Sequence, residues 1–190
     1  MLRTPDYWTA RLLDAHRRQG SACRDRGTWF YLLQADEPDL IAQALAGMRE
    51  TLELRIADPG HPQHGHFWWT ADQRDRGLKV DPNTLCFVAF AYLRCLLRYG
   101  GVIPADLQRD WRAALETGIS LSVSRDIHPG YTNIACLIPA WLTLAGLAFD
   151  RQDALDHAAQ KVRTWWTYQQ LGDAPREYAS PAYLPLALIS

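Results

Sequence analysis

The sequence predicts an all-α fold, and three observations predict it. Apolar residues recur at helical spacing, β-type alternation between turn residues is scarce, and polar turn motifs recur ahead of apolar segments. Leu40, Ile41, Ala44, Leu45, Met48 and Leu52 form an i, i+4, i+8 stripe that predicts an amphipathic helix over 39–56. Leu85–Leu97 follows, apolar nearly all round with Arg94 its only charge. A helix without a polar face is expected to be buried on all sides. Leu107, Trp111, Ala114, Leu115, Gly118 and Ile119 mark a second amphipathic helix over 105–122. Ile134–Phe149 carries no charge and predicts a second helix buried all round. Leu155, Ala158, Ala159, Val162, Trp165 and Trp166 place a third amphipathic helix over 153–169.

Wet-faced and fully apolar helices thus alternate, as outer and inner helices do in an α/α toroid. The turn motifs support a repeat. Asp81-Pro82-Asn83-Thr84, then His128-Pro129-Gly130-Tyr131-Thr132-Asn133, then Glu177-Tyr178-Ala179-Ser180-Pro181 recur at roughly 50 residues, one helical hairpin with its loops. Asp81 or Asn83, Thr132 or Asn133, and Ser180 are suitable N-caps. The third motif leads into Ala182–Ile189, the expected start of a further inner helix. Residues 1–190 are therefore expected to form one domain of helical hairpins in a partial (α/α)n toroid. Such an arc needs either copies of itself, as a homo-oligomer, or a second half of the ring.

Composition excludes several function classes. Hydrophobic residues at 48% and charged residues at 22% exclude a disordered chain. Twenty basic against 21 acidic residues leave a net charge of −1, which gives no electrostatic footprint for nucleic acid. All but Lys79 and Lys161 of the basic residues are arginine, a bias read as compositional. Cys23, Cys86, Cys95 and Cys136 form no CxxC pair, and the last three lie in apolar runs, so they read as core thiols. The N-terminus has no basic start with an apolar stretch, and Ile134–Phe149 falls short of the roughly 20 residues of a membrane span. A soluble, cytoplasmic protein with no membrane partner is expected. GxGxxG, Walker A and Gly-x-Ser-x-Gly motifs are absent, so no nucleotide cofactor and no serine nucleophile are expected.

Asp81-Pro82-Asn83-Thr84, Tyr131-Thr132-Asn133-Ile134 and Arg176-Glu177-Tyr178-Ala179-Ser180-Pro181-Ala182-Tyr183 resemble the turns of helical-toroid domains in carbohydrate-active enzymes. These include polysaccharide lyases of the heparinase and alginate-lyase type and related uncharacterised proteins. The resemblance covers roughly residues 60–190. It implies a glycan substrate, held in a cleft where outer helices hand over to inner ones. Enzymes of this kind draw residues from both halves of the ring, and this chain supplies at most one half.

The residues at these turns suit that chemistry. Inner-helix N-termini offer unpaired N–H groups and positive dipole ends, which favour an anion such as a uronic-acid carboxylate. A lyase needs a neutraliser for that carboxylate, a base for the α-proton and an acid for the leaving oxygen. Asn133 is the candidate neutraliser, His128 the candidate base, and Tyr131 or Tyr178 the acid or base. The same residues also read as a helix cap and a turn. A hydrolase would instead need paired carboxyls, for which Asp81 and Glu177 stand beside inner-helix starts.

Three further groups bear on binding. Asp58-Pro59-Gly60-His61-Pro62-Gln63-His64-Gly65-His66 gathers three histidines, a weak metal candidate without zinc spacing, otherwise a solvated loop or cleft lining. Trp68 and Trp69 follow directly and read as core or as a stacking platform for a sugar, whereas Trp29, Trp111, Trp141, Trp165 and Trp166 fall on helical stripes and read as core. Asn83, His66 and Tyr183 complete the candidate substrate contacts. The leading expectation is β-elimination on a uronate-containing polysaccharide. Glycoside hydrolysis and a non-catalytic oligomerisation scaffold are the alternatives.

Overall fold

A computed structural model describes residues 26–170 and is built of α-helices, with one isolated antiparallel bridge between Arg55 and Phe67. A 3₁₀ turn at Arg26–Thr28 leads into α1, Trp29–Gln34. Asp36, in the left-handed region at φ 54°, turns the chain into α2, Pro38–Glu53, which opens with proline in its first turn and Asp39 against the dipole. The short α3, Ala71–Asp75, is capped by Thr70, whose hydroxyl accepts from the Gln73 N–H at 3.2 Å.

The long helices follow. α4, Thr84–Tyr99, ends at Gly100, and α5, Ala105–Ser124, begins after Pro104. α6, Thr132–Phe149, contains Pro139 and stops at Asp150, left-handed at φ 55°. α7, Gln152–Gln170, starts two residues on. Sequence neighbours pair as α1 with α2, α4 with α5, and α6 with α7. Across the pairs, α4 lies against both α1 and α6, while α5 lies against both α2 and α7. The all-α expectation and the helix positions therefore hold, with α1 and α3 as helices the sequence reading did not anticipate.

Aromatic packing ties the pairs together. Trp111 of α5 stacks on Tyr92 of α4 at 4.4 Å and on Phe67 at 5.9 Å, and meets Trp29 of α1 edge-on at 6.1 Å. All four are fully buried. Between α6 and α7 the backbones close tightly, since a Cβ on Gly146 would lie 2.5 Å from Leu155 Cγ. Arg112 of α5 reaches over the Phe149 ring and donates to its carbonyl at 3.3 Å, fastening α5 to the end of α6.

Two burial expectations need correction. α4 and α6 are not buried all round: Leu97 is 46% exposed and Leu147 is 63% exposed. Each helix has described neighbours on only part of its circumference, so a scarcity of charge does not translate into complete burial. Trp166, expected in the core, is 58% exposed, as is Val162 at 49% one turn earlier on the same side of α7. Trp29, Trp111 and Trp141 are core residues as expected, and Cys86 and Cys95 are buried thiols with Cys136 half-buried. Cys23 lies outside the described residues. Among the described residues, no helix is long and apolar enough to cross a membrane.

Candidate functional site

The first two turn motifs meet. At the start of α4, Asp81 Oδ1 accepts from the Asn83 N–H at 2.9 Å, a local turn that fixes the Asn83 side chain. Asn83 Nδ2 donates to the Tyr131 hydroxyl at 3.0 Å, joining the start of α4 to the start of α6. Asn83 Oδ1 accepts from Arg125 Nη2 at 2.8 Å, and Arg125 Nη1 donates to the Pro82 carbonyl at 3.3 Å. Arg125 sits at the C-terminal end of α5. Three helix ends thus converge on one amide side chain, with a guanidinium on one side and a phenol on the other.

The histidine loop completes the wall. Ile56 closes it through two backbone bonds, its N–H donating to His66 O and its carbonyl accepting from the Gly65 N–H, both 2.9 Å. Gly65 is required here, because its φ is +84° and a Cβ would lie 2.7 Å from Thr117 and 2.9 Å from Leu121 of α5. The loop is therefore pressed onto α5, and His66 is half-buried beside the network. Burial holds the His66 imidazole below its ordinary pKa; the Arg125 charge adds to this and Asp81 opposes it. His66 Nδ1 is buried and makes no hydrogen bond. A neutral imidazole at neutral pH is a competent proton acceptor.

Asp81 is committed to structure. Its second oxygen accepts from Trp69 Nε1 at 3.3 Å. The Trp69 ring is packed as well, with the Arg26 guanidinium 5.2 Å over it and Phe87 at 5.5 Å. Trp68 is half-buried, and Arg26 donates to the carbonyls of both tryptophans, at 3.4 and 3.0 Å. Burial pushes the Cys86 thiol, in the first turn of α4, up to about 11, against the pull of Arg125, so it is no nucleophile.

Other expected site residues are placed differently. His128 Nδ1 accepts from the Gly130 N–H at 3.1 Å, and its ring meets Tyr168 of α7 edge-on at 5.3 Å. Asn133 Oδ1 accepts from the Ile134 N–H at 2.7 Å, inside the first turn of α6, where Tyr131 is the cap position. His61 Nδ1 accepts from the Gln63 N–H at 3.0 Å, and His64 Nε2 is buried without a partner. Among the described residues, no group of three or more His, Cys, Asp or Glu side chains stands close enough to hold a metal. Glu177, Tyr178 and Tyr183 lie outside the described residues.

Arg125 escaped the sequence reading. The available signal was a lone arginine where the α5 stripe ends, just ahead of the second turn motif. Compared with known proteins, the chain matches no protein-family model, no curated protein and no solved structure.

Proposed function

We propose that the chain is an arc of an α/α toroid that binds a uronate-containing glycan at the starts of α4 and α6 and cleaves it by β-elimination. The order of helix contacts supports the arc: α4 lies between α1 and α6, and α5 between α2 and α7, as neighbours in an inner and an outer row would. The observation that carries the reaction is the hydrogen-bonded chain from Arg125 through Asn83 to Tyr131. It supplies the charge and the proton carrier of a lyase on neighbouring side chains.

Arg125 has five N–H donors, of which two are engaged with Asn83 and Pro82, so donors remain for a sugar carboxylate. Neutralising that carboxylate acidifies the adjacent C5–H. His66, kept neutral by burial, takes the proton; electrons of the C–H bond form the C4=C5 double bond, and the C4–O bond breaks. Tyr131 gives its hydroxyl proton to the departing oxygen, and Asn83 holds the phenol oxygen in place. The neutralising role is assigned to Arg125 with Asn83 rather than to Asn133, because a guanidinium carries the positive charge that a carboxamide lacks. Asp81, with both oxygens holding structural donors, is a weaker acid candidate for the hydrolase alternative.

The test incubates the protein with alginate, pectate, glucuronan, a heparin-like chain and neutral glycans, following ultraviolet absorbance and new reducing ends together. Absorbance rising with reducing ends on an acidic polymer is the expected result. Reducing ends without absorbance would overturn β-elimination and favour hydrolysis. Neither signal from folded protein would leave a non-catalytic scaffold.

A further inference from the structure

A cavity lies among the end of α5, the first turns of α6 and the middle of α7. Its volume is about 330 Å³, within the range of small-ligand pockets. Ile127, Ala135 and Ile138 make it apolar along one side, while Lys161, His157 and Trp165 of α7 line the other. Lys161 Nζ donates to the Arg125 carbonyl at 2.9 Å, which holds the ammonium in place and leaves two further N–H donors on it. The Arg125 guanidinium is turned to Asn83 and Pro82. Trp165 adds its indole ring to the lining. Asp126 is the acid at the rim and is exposed.

We propose that this cavity binds a small amphipathic monocarboxylate, its apolar body against Ile138 and Ala135 and its carboxylate on Lys161. A placed cation and an apolar floor are the parts that such a ligand satisfies together. A neutral ligand would leave the ammonium to the Arg125 carbonyl and the Asp126 charge alone, and a bare inorganic anion would leave the floor wet. Burial already lowers the Lys161 pKa, with the Asp126 charge opposing, so an incoming carboxylate meets an ammonium short of compensation. The site is separate from the glycan reading and stands or falls without it.

Phenylacetate is the probe, with phenylacetamide as its neutral isostere and acetate as its headgroup alone. Spectra of the 15N-labelled full chain resolve indole N–H signals, and the signal lost in Trp165→Phe identifies Trp165. Phenylacetate is expected to shift that signal saturably, with phenylacetamide and acetate each at least tenfold weaker. Lys161→Met is expected to weaken phenylacetate binding at least tenfold, and Lys161→Arg to retain it within a few fold. Equal binding of the acid and the amide, equal binding by acetate, or no shift of the Trp165 signal would overturn the proposal. Should Lys161→Met not fold, the three probes on the unaltered chain decide the matter alone.

Discussion

Asn83 shows how much a single side chain organises here. Its amide has a donor and an acceptor, and each is used on a different helix: the donor on Tyr131 at the start of α6, the acceptor on Arg125 at the end of α5. Asn83 occupies the cap position of α4, as its neighbours suggested, yet its side chain makes no capping bond to that helix. Local pattern can mark such a residue but cannot give it partners 42 and 48 positions away. His66 carries a testable consequence. Its folded pKa lies below the ordinary value of 6.5, so as pH falls the unfolded chain takes up the proton first. The stability this group contributes is intact above about pH 6.5 and is lost below it. His66→Asn should therefore lose less Tm than the natural chain between about pH 7 and about pH 5. Parallel losses would contradict the assignment. Tyr92 tests the core in the same way. Its hydroxyl is fully buried without a partner, and burial raises its pKa. Tyr92→Phe should leave stability unchanged or raise it in urea unfolding. A loss of about 1 kcal/mol or more would mean that the hydroxyl has a hydrogen-bond partner after all.

At the scale of elements, the long helices were legible because each repeats its apolar stripe over several turns. α1 and α3 were not, since Trp29–Gln34 and Ala71–Asp75 are too short for a period to show. Burial of α4 and α6 was overestimated for a related reason. A missing polar face reports what a helix tolerates, while the neighbours that cover it are set by the packing of the whole array. The histidine loop was legible only as a polar stretch. Its real constraint is Gly65, where left-handed backbone and contact with Thr117 and Leu121 coincide. Gly65→Ala should destabilise the chain by about 1–3 kcal/mol in denaturant unfolding and loosen the placement of His66. An unchanged midpoint would show that the loop is not anchored through this contact.

At the scale of the whole molecule, three helix pairs stack side by side, and the aromatic group of Trp29, Phe67, Tyr92 and Trp111 locks the first two pairs and the loop together. Burying each such side chain is worth about 1.5–3 kcal/mol, so this cluster is a large share of the core that holds the site rigid. The stacking places the two turn motifs next to each other, which the recurrence of polar turns had pointed to. Their partner on α5 was not legible, because an arginine at a helix end is ordinary in sequence and acquires meaning only when another helix start packs against it. The most direct measurement compares initial rates of unsaturated-product formation on the best acidic polymer for the natural chain, Arg125→Met and His128→Ala. The account predicts a loss of about 100-fold or more for Arg125→Met, with His128→Ala within a few fold. Loss of activity in His128→Ala with Arg125→Met unimpaired would contradict it and return the chemistry to the turn before α6.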